Sequence, residues 1–132
     1  MGMDMQQVLA RRARGQAADR RGREAEQRVE EVLVGDGWRV LARRLRTAAG
    51  EIDLVDERDG LAAMIEVKAR RSLSAAAYSV QARQQGRMMA AAEIALAEHP
   101  AWGPAGIRFD VMVVDGGGRV RRVVDAFRLE GA

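Results

Sequence analysis

The strongest constraint on the fold is the dipeptide Asp59-Gly60, which separates two short apolar runs. Asp-Gly between such runs is typical of a two-residue hairpin turn, because a type I′ turn requires positive φ at both central residues. With this dipeptide as the turn, Arg58 faces Leu61, and each further pair follows one residue outward on either strand. The register therefore predicts that Asp53 lies directly opposite Glu66.

The same register divides the side chains of the hairpin between two faces. Because side chains alternate along a strand, the apolar residues share one face and the charged residues share the other. The predicted apolar set is Ile52, Leu54, Ile65 and Val67, and the predicted charged set is Glu51, Asp53, Glu66 and Lys68. Two carboxylates that face each other across a sheet repel. Their charge has to be offset by a metal ion, by the nearby lysine or by open solvent.

The charged face has the residues that metal-assisted phosphodiester hydrolysis requires. Carboxylates such as Asp53 and Glu66, with water and substrate phosphates, are the ligands that Mg²⁺ prefers. The ion (Mg²⁺ or Mn²⁺) polarises the phosphate and activates a water, and Lys68 orients that water or offsets the developing charge. The chain has 22 Lys and Arg residues, and Lys68 is the only lysine among them. A compact ammonium group differs chemically from the guanidinium groups used everywhere else.

Length and composition indicate one domain without disulfides. The chain has 132 residues and no cysteine. It has no apolar run long enough to cross a membrane, and its first residues lack a signal-peptide core. We therefore expect a cytoplasmic protein. Residues 1–20 are polar and basic, and we expect them to form a flexible arm, in which residues 4–13 can form a fraying helix, that either contacts phosphates or remains solvated. Residues 21–132 are expected to form the single domain.

Hydrophobic periodicity predicts the order helix, three strands, helix, two strands. A helix begins at Gly22 and ends at Gly35, with an apolar stripe formed by Ala25, Val29, Val32 and Leu33. The remaining elements are predicted as a strand at 38–42, the hairpin at 50–68, a helix at 79–98 and strands at 107–114 and 120–126. This order is typical of a mixed sheet with helices packed on it, in an α/β or α+β arrangement.

Several polar residues outside the hairpin are candidates for function. Glu26 lies beside the apolar stripe of the first helix, where it either reaches inward over the sheet edge or complements the helix dipole. Arg108 and Asp110 are interpreted as a pair within the sheet. The candidates for nucleic-acid binding are Arg44 and Arg46 in a basic connection before the hairpin, Arg70 after it, and Arg83, Gln84 and Arg87 on the second helix. The arginines of the connection can equally well be solvated surface residues that bind nothing.

Taken together, five motifs resemble the YraN-like family of small bacterial proteins. They are Gly22-x-x-Ala25-Glu26, Gly50-Glu51-Ile52-Asp53, Glu66-Val67-Lys68-x-Arg70, Arg108-Phe109-Asp110-Val111 and Ala126-Phe127. The resemblance covers residues 20–128. Members of the family are similar to the restriction-endonuclease-like fold, to the PD-(D/E)xK nucleases and to the Holliday-junction resolvases.

The resemblance implies a restriction-endonuclease-like α/β fold, a mixed sheet flanked by helices in the order αβββαββ, and a Mg²⁺-dependent nuclease site acting on DNA. Asp53 and Glu66 would be the metal ligands, Lys68 the catalytic lysine and Glu26 an additional acidic member of the site. The chain departs from the family pattern at Arg44, where the family tends to have asparagine, and at Gln84, where it tends to have lysine.

Three functions from different classes fit the sequence. The first is a metal-dependent endonuclease that acts on DNA, such as branched or repair intermediates. The second is a nucleic-acid-binding module with a degenerate nuclease site, and the third is an interaction protein in which the charged residues of the hairpin form a buried ionic network. A junction-cutting enzyme needs two symmetric sites, which a homodimer would provide, although no sequence feature demands one.

Overall fold

A computed structural model describes residues 2–74 and 80–127 of the chain. The elements are α1 (Met5–Gly35), β1 (Arg39–Thr47), β2 (Gly50–Arg58), β3 (Leu61–Ala69), α2 (Ala82–Glu98), β4 (Gly106–Val114) and β5 (Val120–Val123). The strands form one five-stranded sheet in the order β1-β2-β3-β4-β5. β3 and β4 are parallel and all other neighbours are antiparallel. The predicted element order and the α/β fold with a mixed sheet are confirmed.

The two helices pack on opposite faces of the sheet. α1 buries Ala25, Val29 and Leu33, which follow one another at intervals of four residues and therefore form one stripe on the helix. That stripe packs against a cluster that includes Leu54 and Ile65. α2 packs through Ala91 and Ala92 against a second cluster that includes Ile52, Val55 and Met64. The central strand β3 therefore has buried side chains on both faces, whereas the edge strand β1 is exposed or half-buried along its length.

The hairpin turn has the predicted geometry. Asp59 has φ 51° and Gly60 has φ 80°, as a type I′ turn requires at its two central residues. β2 and β3 then pair from Arg58 opposite Leu61 as far as Leu54 opposite Ile65. These pairs confirm the predicted register next to the turn, whereas Asp53 and Glu66, predicted to face each other, lie beyond the last pair.

The prediction that Ile52 and Leu54 share one face is wrong. Ile52 packs in the cluster under α2, whereas Leu54 packs in the cluster under α1. The alternation breaks at Asp53 and at Arg44, which lies across from it in β1 and has a φ of 47°. β1 and β2 remain paired on both sides of these two residues. An extra residue in each strand reverses the alternation, so Ile52 points to the opposite face from the one expected.

Two of the predicted boundaries in the sheet are also wrong. β1 extends to Thr47, so the basic residues at 43–46 belong to this edge strand and not to a connection. Their backbone groups pair with β2 while their side chains remain polar, a composition that edge strands tolerate. The last strand ends at Val123, three residues before the predicted end.

Helix α1 is longer than the sequence predicts. It begins at Met5 and not at Gly22, because Asp4 and Gln7 form a capping box in which each side chain bonds the backbone N–H of the other. Most of the predicted arm, residues 5–20, is therefore the exposed first half of α1, and its flexibility stays a prediction. Among the described residues, neither helix is long and apolar enough to cross a membrane. The predicted start of the second helix, residue 79, lies outside the described residues, and α2 begins at Ala82.

A buried ion cluster joins β4, β5 and the loop before β1. Both oxygens of Asp110 accept hydrogen bonds, from Arg108 at 2.9 and 3.0 Å, from Arg122 at 3.0 and 2.5 Å, and from the backbone N–H of Asp125 at 2.9 Å. The guanidinium carbons of Arg122 and Arg108 lie 4.4 and 5.5 Å from the ring centroid of Trp38. The predicted Arg108–Asp110 pair is confirmed, and Asp110 also links β4 to β5 through Arg122.

Asp56 contrasts with this cluster because it is buried without a partner. Neither of its carboxylate oxygens has a hydrogen-bond partner among the described residues, although the side chain is fully buried in β2. Burial and the charge of Glu30 on α1 raise the pKa of Asp56 to about 7, against the opposing effects of Arg122 on β5 and Arg43 on β1. An ionised carboxylate in this position destabilises the fold.

We predict that Asp56→Asn stabilises the protein above neutral pH. Wild-type Asp56 keeps its proton in the fold up to about pH 7 and loses it in the unfolded chain near its ordinary pKa of 3.8. Wild type should therefore lose stability relative to the variant as the pH rises from about 4 to about 7, by an amount on the order of 3 kcal/mol. Urea unfolding at a series of pH values measures this difference.

The matched control is Asp110→Asn, which should destabilise the fold by roughly 3–5 kcal/mol because it leaves two half-buried arginines without their anion. Equal stability of wild type and Asp56→Asn from pH 4 to pH 8 would contradict the buried, unpartnered position of Asp56.

Candidate functional site

The sheet divides where β2 and β3 stop pairing, and Asp53 lies at this division. Pairing between the two strands ends at Leu54 and Ile65, whereas β2 continues to pair with β1 as far as Gly50 and β3 with β4 as far as Ala69. The Asp53 carboxylate accepts a hydrogen bond of 2.8 Å from the backbone N–H of Val67. The side chain thus supplies the acceptor that a neighbouring strand would otherwise provide. We call the region beyond the Leu54–Ile65 pair, which contains Asp53, Glu66 and Val67, the fork.

Glu66 brings the second carboxylate to the fork. Its side chain lies on the α2 side of the sheet, where Nε2 of Gln84 donates a hydrogen bond of 2.6 Å to Oε1. Burial, and then the charge of Glu66, raise the pKa of Asp53 to about 7, and the hydrogen bond from Val67 opposes this effect only in part. The two carboxyl groups are therefore near enough to interact at the fork, although they do not form a pair of the β2–β3 ladder.

Glu26 lies near the fork but is bound to another residue. Its Oε2 accepts a hydrogen bond of 2.8 Å from Nε of Arg44, the residue of β1 with positive φ. The charge of Glu26 still contributes to the raised pKa of Asp53. The structure therefore places Glu26 beside the fork on the α1 side, as one half of an ion pair.

Lys68 follows Glu66 on the same side of β3. Residues two apart on a strand point to the same face, so its side chain is directed towards the α2 side. The residue is half-buried and pairs in the sheet with Val113 of β4. Within residues 2–74 and 80–127 no carboxylate lies within 4 Å of its ammonium group, so no ion pair fixes the lysine in place.

The other predicted binding residues surround the fork without meeting in it. Arg46 is largely exposed and lies 3.4 Å from Glu51. Arg70 is exposed and donates to the carbonyl of the preceding residue, while Arg83 and Arg87 are exposed near the start of α2. Among the predicted nucleic-acid-binding residues, Gln84 directly contacts a fork carboxylate and Arg44 contacts Glu26.

Comparison with known sequences identifies the family. Residues 25–114 match the family described as "Uncharacterised protein family UPF0102". The chain belongs to the UPF0102 family. The matched range contains Glu26, Asp53, Glu66 and Lys68. This membership confirms the YraN-like resemblance, and the likeness to nucleases stays a prediction.

Similar UPF0102 proteins occur in several bacteria. The chain is 55% identical over 117 residues to one of Granulibacter bethesdensis, across 89% of this chain and 74% of that protein. It is 51% identical over 120 residues to one of Azorhizobium caulinodans, across 91% and 92% of the two chains. A third relative, from Acidiphilium cryptum, is 48% identical over 120 residues, across 91% and 93% of the two chains.

The donor set at the fork of this UPF0102 chain fits a divalent cation held by two carboxylates. Within the part of the chain that the structure describes, no three carboxylate or imidazole groups converge as a ready-made metal cage. Mg²⁺ does not require one, because it is commonly bound by one or two carboxylates together with water and substrate phosphates. A cation between Asp53 and Glu66 would offset the repulsion that raises the pKa of Asp53.

Sequence reasoning missed two features of this UPF0102 fold. The hydrogen bond from Val67 to Asp53 depends on where β2 and β3 separate, and the hairpin pattern carries no signal for that point. Asp56 was also missed, although a signal exists. Alternation from the buried Leu54 places Asp56 on the same inward face two residues later.

We predict that Glu66→Gln lowers the pKa of Asp53 from its value of about 7, because the charge of Glu66 is one of its two largest causes. A decrease of about one unit is expected for the loss of a close like charge. The variant should also gain stability relative to wild type as the pH rises from about 4 to about 7, since wild-type Asp53 resists ionisation in the fold. Carbon-detected NMR titration of the carboxyl groups, in EDTA, measures the pKa.

Glu51→Gln is the matched control. Glu51 lies on β2, two residues before Asp53, but it pairs with Arg46 at the exposed edge of the sheet. The variant should leave the titration of Asp53 unchanged. An Asp53 that titrates identically in wild type and Glu66→Gln would show that the two carboxyls are not neighbours.

Proposed function

We propose that this chain is a Mg²⁺- or Mn²⁺-dependent endonuclease that hydrolyses phosphodiester bonds in DNA, including branched or repair intermediates. The observation that carries the proposal is the meeting of Asp53 and Glu66 at the fork, with Lys68 on the same side of β3 as Glu66. The resemblance of the motifs to the PD-(D/E)xK nucleases and the Holliday-junction resolvases supports the same reaction.

Each residue of the fork has a role in this proposal. Asp53 and Glu66 would hold the divalent ion, which when bound supplies Lewis-acid polarisation of the phosphate and favours deprotonation of an attacking water. The Val67 N–H orients the Asp53 carboxylate, and Gln84 orients that of Glu66. Lys68, without an anionic partner among the described residues, is available to hold the water or to offset charge that develops on the phosphate.

The Glu26–Arg44 pair gives the site an additional acid next to the metal ligands. Arg44 holds the Glu26 carboxylate on the α1 side of the fork, while the negative charge of Glu26 contributes to the raised pKa of Asp53. In this arrangement Glu26 supports the site through its field, and Arg44 sets its position. Arg44 is therefore a positioning residue that reaches the site through Glu26.

Two observations favour a non-catalytic nucleic-acid-binding module as the second candidate. Gln84 stands where the family pattern tends to have a lysine, and its amide cannot supply a positive charge beside Glu66. Glu26 is also engaged by Arg44. The third candidate, a stabilising ionic network, fits less well, because such a network would lower the pKa of Asp53 and not raise it.

We predict that Asp53→Asn lowers metal-dependent DNA cleavage by roughly 100-fold or more, because it removes one of two anionic ligands while keeping the acceptor for Val67. The assay uses labelled duplex, flap and four-way-junction DNA with Mg²⁺, Mn²⁺ or EDTA. It tests the proposed reaction and ranks the substrates in one experiment.

Asp59→Asn makes the same chemical change on the same hairpin, at an exposed turn position with positive φ that asparagine also adopts. It should cleave like wild type. Wild-type protein that binds these DNAs but cuts none of them with either metal would favour the binding module.

We predict that Lys68→Arg is not a conservative change. A guanidinium is bulkier than an ammonium and does not release its proton, so the single-turnover rate of cleavage should fall by about 10-fold to 100-fold. DNA affinity should change little, since the positive charge is kept. A variant that cleaves at the wild-type rate would remove the lysine from the mechanism.

A further inference from the structure

A second candidate site lies in a cleft between α1 and the carboxyl ends of β3 and β4. The cleft has a volume of about 660 Å³ and an apolar floor that includes Ala25, Ala69 and Val114. Its charged lining consists of Arg21, Glu24, Arg28, Arg70, Arg71 and Asp115. It opens on the α1 side of the sheet, whereas Glu66 faces α2.

Two of these arginines are placed by the periodicity of α1. Arg21 and Arg28 are seven residues apart, which is close to two helical turns, so they lie on one side of the helix about 10 Å apart. Arg14 precedes Arg21 by the same interval and continues the line beyond the cleft along the exposed half of the helix. Arg28 is held in place by a hydrogen bond of 2.9 Å from its Nε to the carbonyl of Gly118.

The other two arginines are placed by the end of β3. The backbone N–H of Arg70 donates to the carbonyl of Val114 at 2.9 Å, which fixes the chain to β4 directly after the strand. Both Arg70 and Arg71 are exposed at this point. Among the described residues, Arg21, Arg70 and Arg71 have no carboxylate within 4 Å, and only Arg28 has one, Glu31 at 3.2 Å.

The acids of the cleft do not balance these charges. Asp115 accepts hydrogen bonds from the backbone N–H groups of Gly117 and Arg119 and from Nε of Arg119, so it is already satisfied within the β4–β5 turn. Glu24 is then the one remaining acid in a lining with four arginines. An exposed concave surface with this excess of guanidinium groups attracts polyanions.

We propose that this cleft binds the phosphodiester backbone of the nucleic acid at phosphates away from the one that is cleaved. The inference rests on the proposed function, since it assigns the cleft to the same DNA substrate. β3 connects the two places, because Glu66 and Lys68 face α2 while Ala69 lines the cleft and Arg70 and Arg71 follow it. A nucleic acid that passes the open end of the sheet can therefore contact the fork and the cleft together.

The test measures the salt dependence of DNA binding by the full chain. Fluorescence anisotropy gives the Kd of a labelled four-way junction and of a duplex between 50 and about 300 mM NaCl, for wild type and for the double variant Arg21→Gln/Arg71→Gln. We expect the slope of log Kd against log salt to fall by about two and the affinity at low salt to fall at least about tenfold.

The matched control is Arg39→Gln/Arg58→Gln, which removes two exposed arginines near the hairpin turn, one on β1 and one on β2, at the opposite end of β3 from Arg71. It should keep the wild-type slope. Circular dichroism confirms that each variant folds, and the single variant Arg71→Gln should show about half of the effect of the double variant. A slope that stays at the wild-type value in Arg21→Gln/Arg71→Gln, or that falls equally in the control, overturns the cleft as a phosphate site.

The same proteins are assayed for cleavage, so the two proposals can fail separately. If the double variant has a lowered slope but wild type cuts no DNA, the cleft is a phosphate site and the protein is not a nuclease. Metal-dependent cutting with an unchanged slope supports the nuclease and removes the cleft.

Discussion

The hydrogen bond from the Val67 N–H to the Asp53 carboxylate is the contact on which the candidate site depends. A strand that loses its neighbour leaves backbone groups unpaired, and such groups need another partner when they are buried. Here the partner is an acidic side chain, so the bond that takes the place of strand pairing between β2 and β3 also fixes a carboxylate. The fork then admits Glu66 from the other strand. The place where β2 and β3 stop pairing therefore determines both the local fold and the position of the candidate metal ligands.

Three aspartates of this sheet show how hydrogen bonds and neighbouring charges determine the pKa of a buried carboxyl group and its contribution to stability. Asp110 is held by two arginines and a backbone N–H, and it joins β4 to β5. Asp56 has no hydrogen-bond partner among the described residues, whereas Asp53 accepts a hydrogen bond from the Val67 N–H and lies near the like charge of Glu66. Both Asp53 and Asp56 therefore have a raised pKa. In the proposed function, a cation bound between Asp53 and Glu66 would offset the charge that raises the pKa of Asp53. The structure provides no comparable explanation for Asp56.

Much of the fold and part of the site could be predicted because they depend on local rules. The positive φ values of Asp59 and Gly60 set the turn, and the turn sets the register that brings Asp53 towards Glu66. Prediction failed where a long-range contact overrides the local rule. Alternation placed Ile52 beside Leu54, but the irregularity at Asp53 and Arg44 turns Ile52 towards α2. The basic segment at 43–46 looked like a connection, because its pairing with β2 is invisible in its own composition.

The sequence by itself determined the order of the elements, the turn, the register next to the turn and the residues available for chemistry, including the single lysine. These follow from backbone preferences and periodicities that act over a few residues. The tertiary structure alone decided where β2 and β3 separate, that Gln84 bonds Glu66, that Arg44 engages Glu26, and that Arg21 and Arg71 line one cleft. These partners are 18 or more residues apart along the chain, so their meeting depends on how α1, α2 and the sheet pack together.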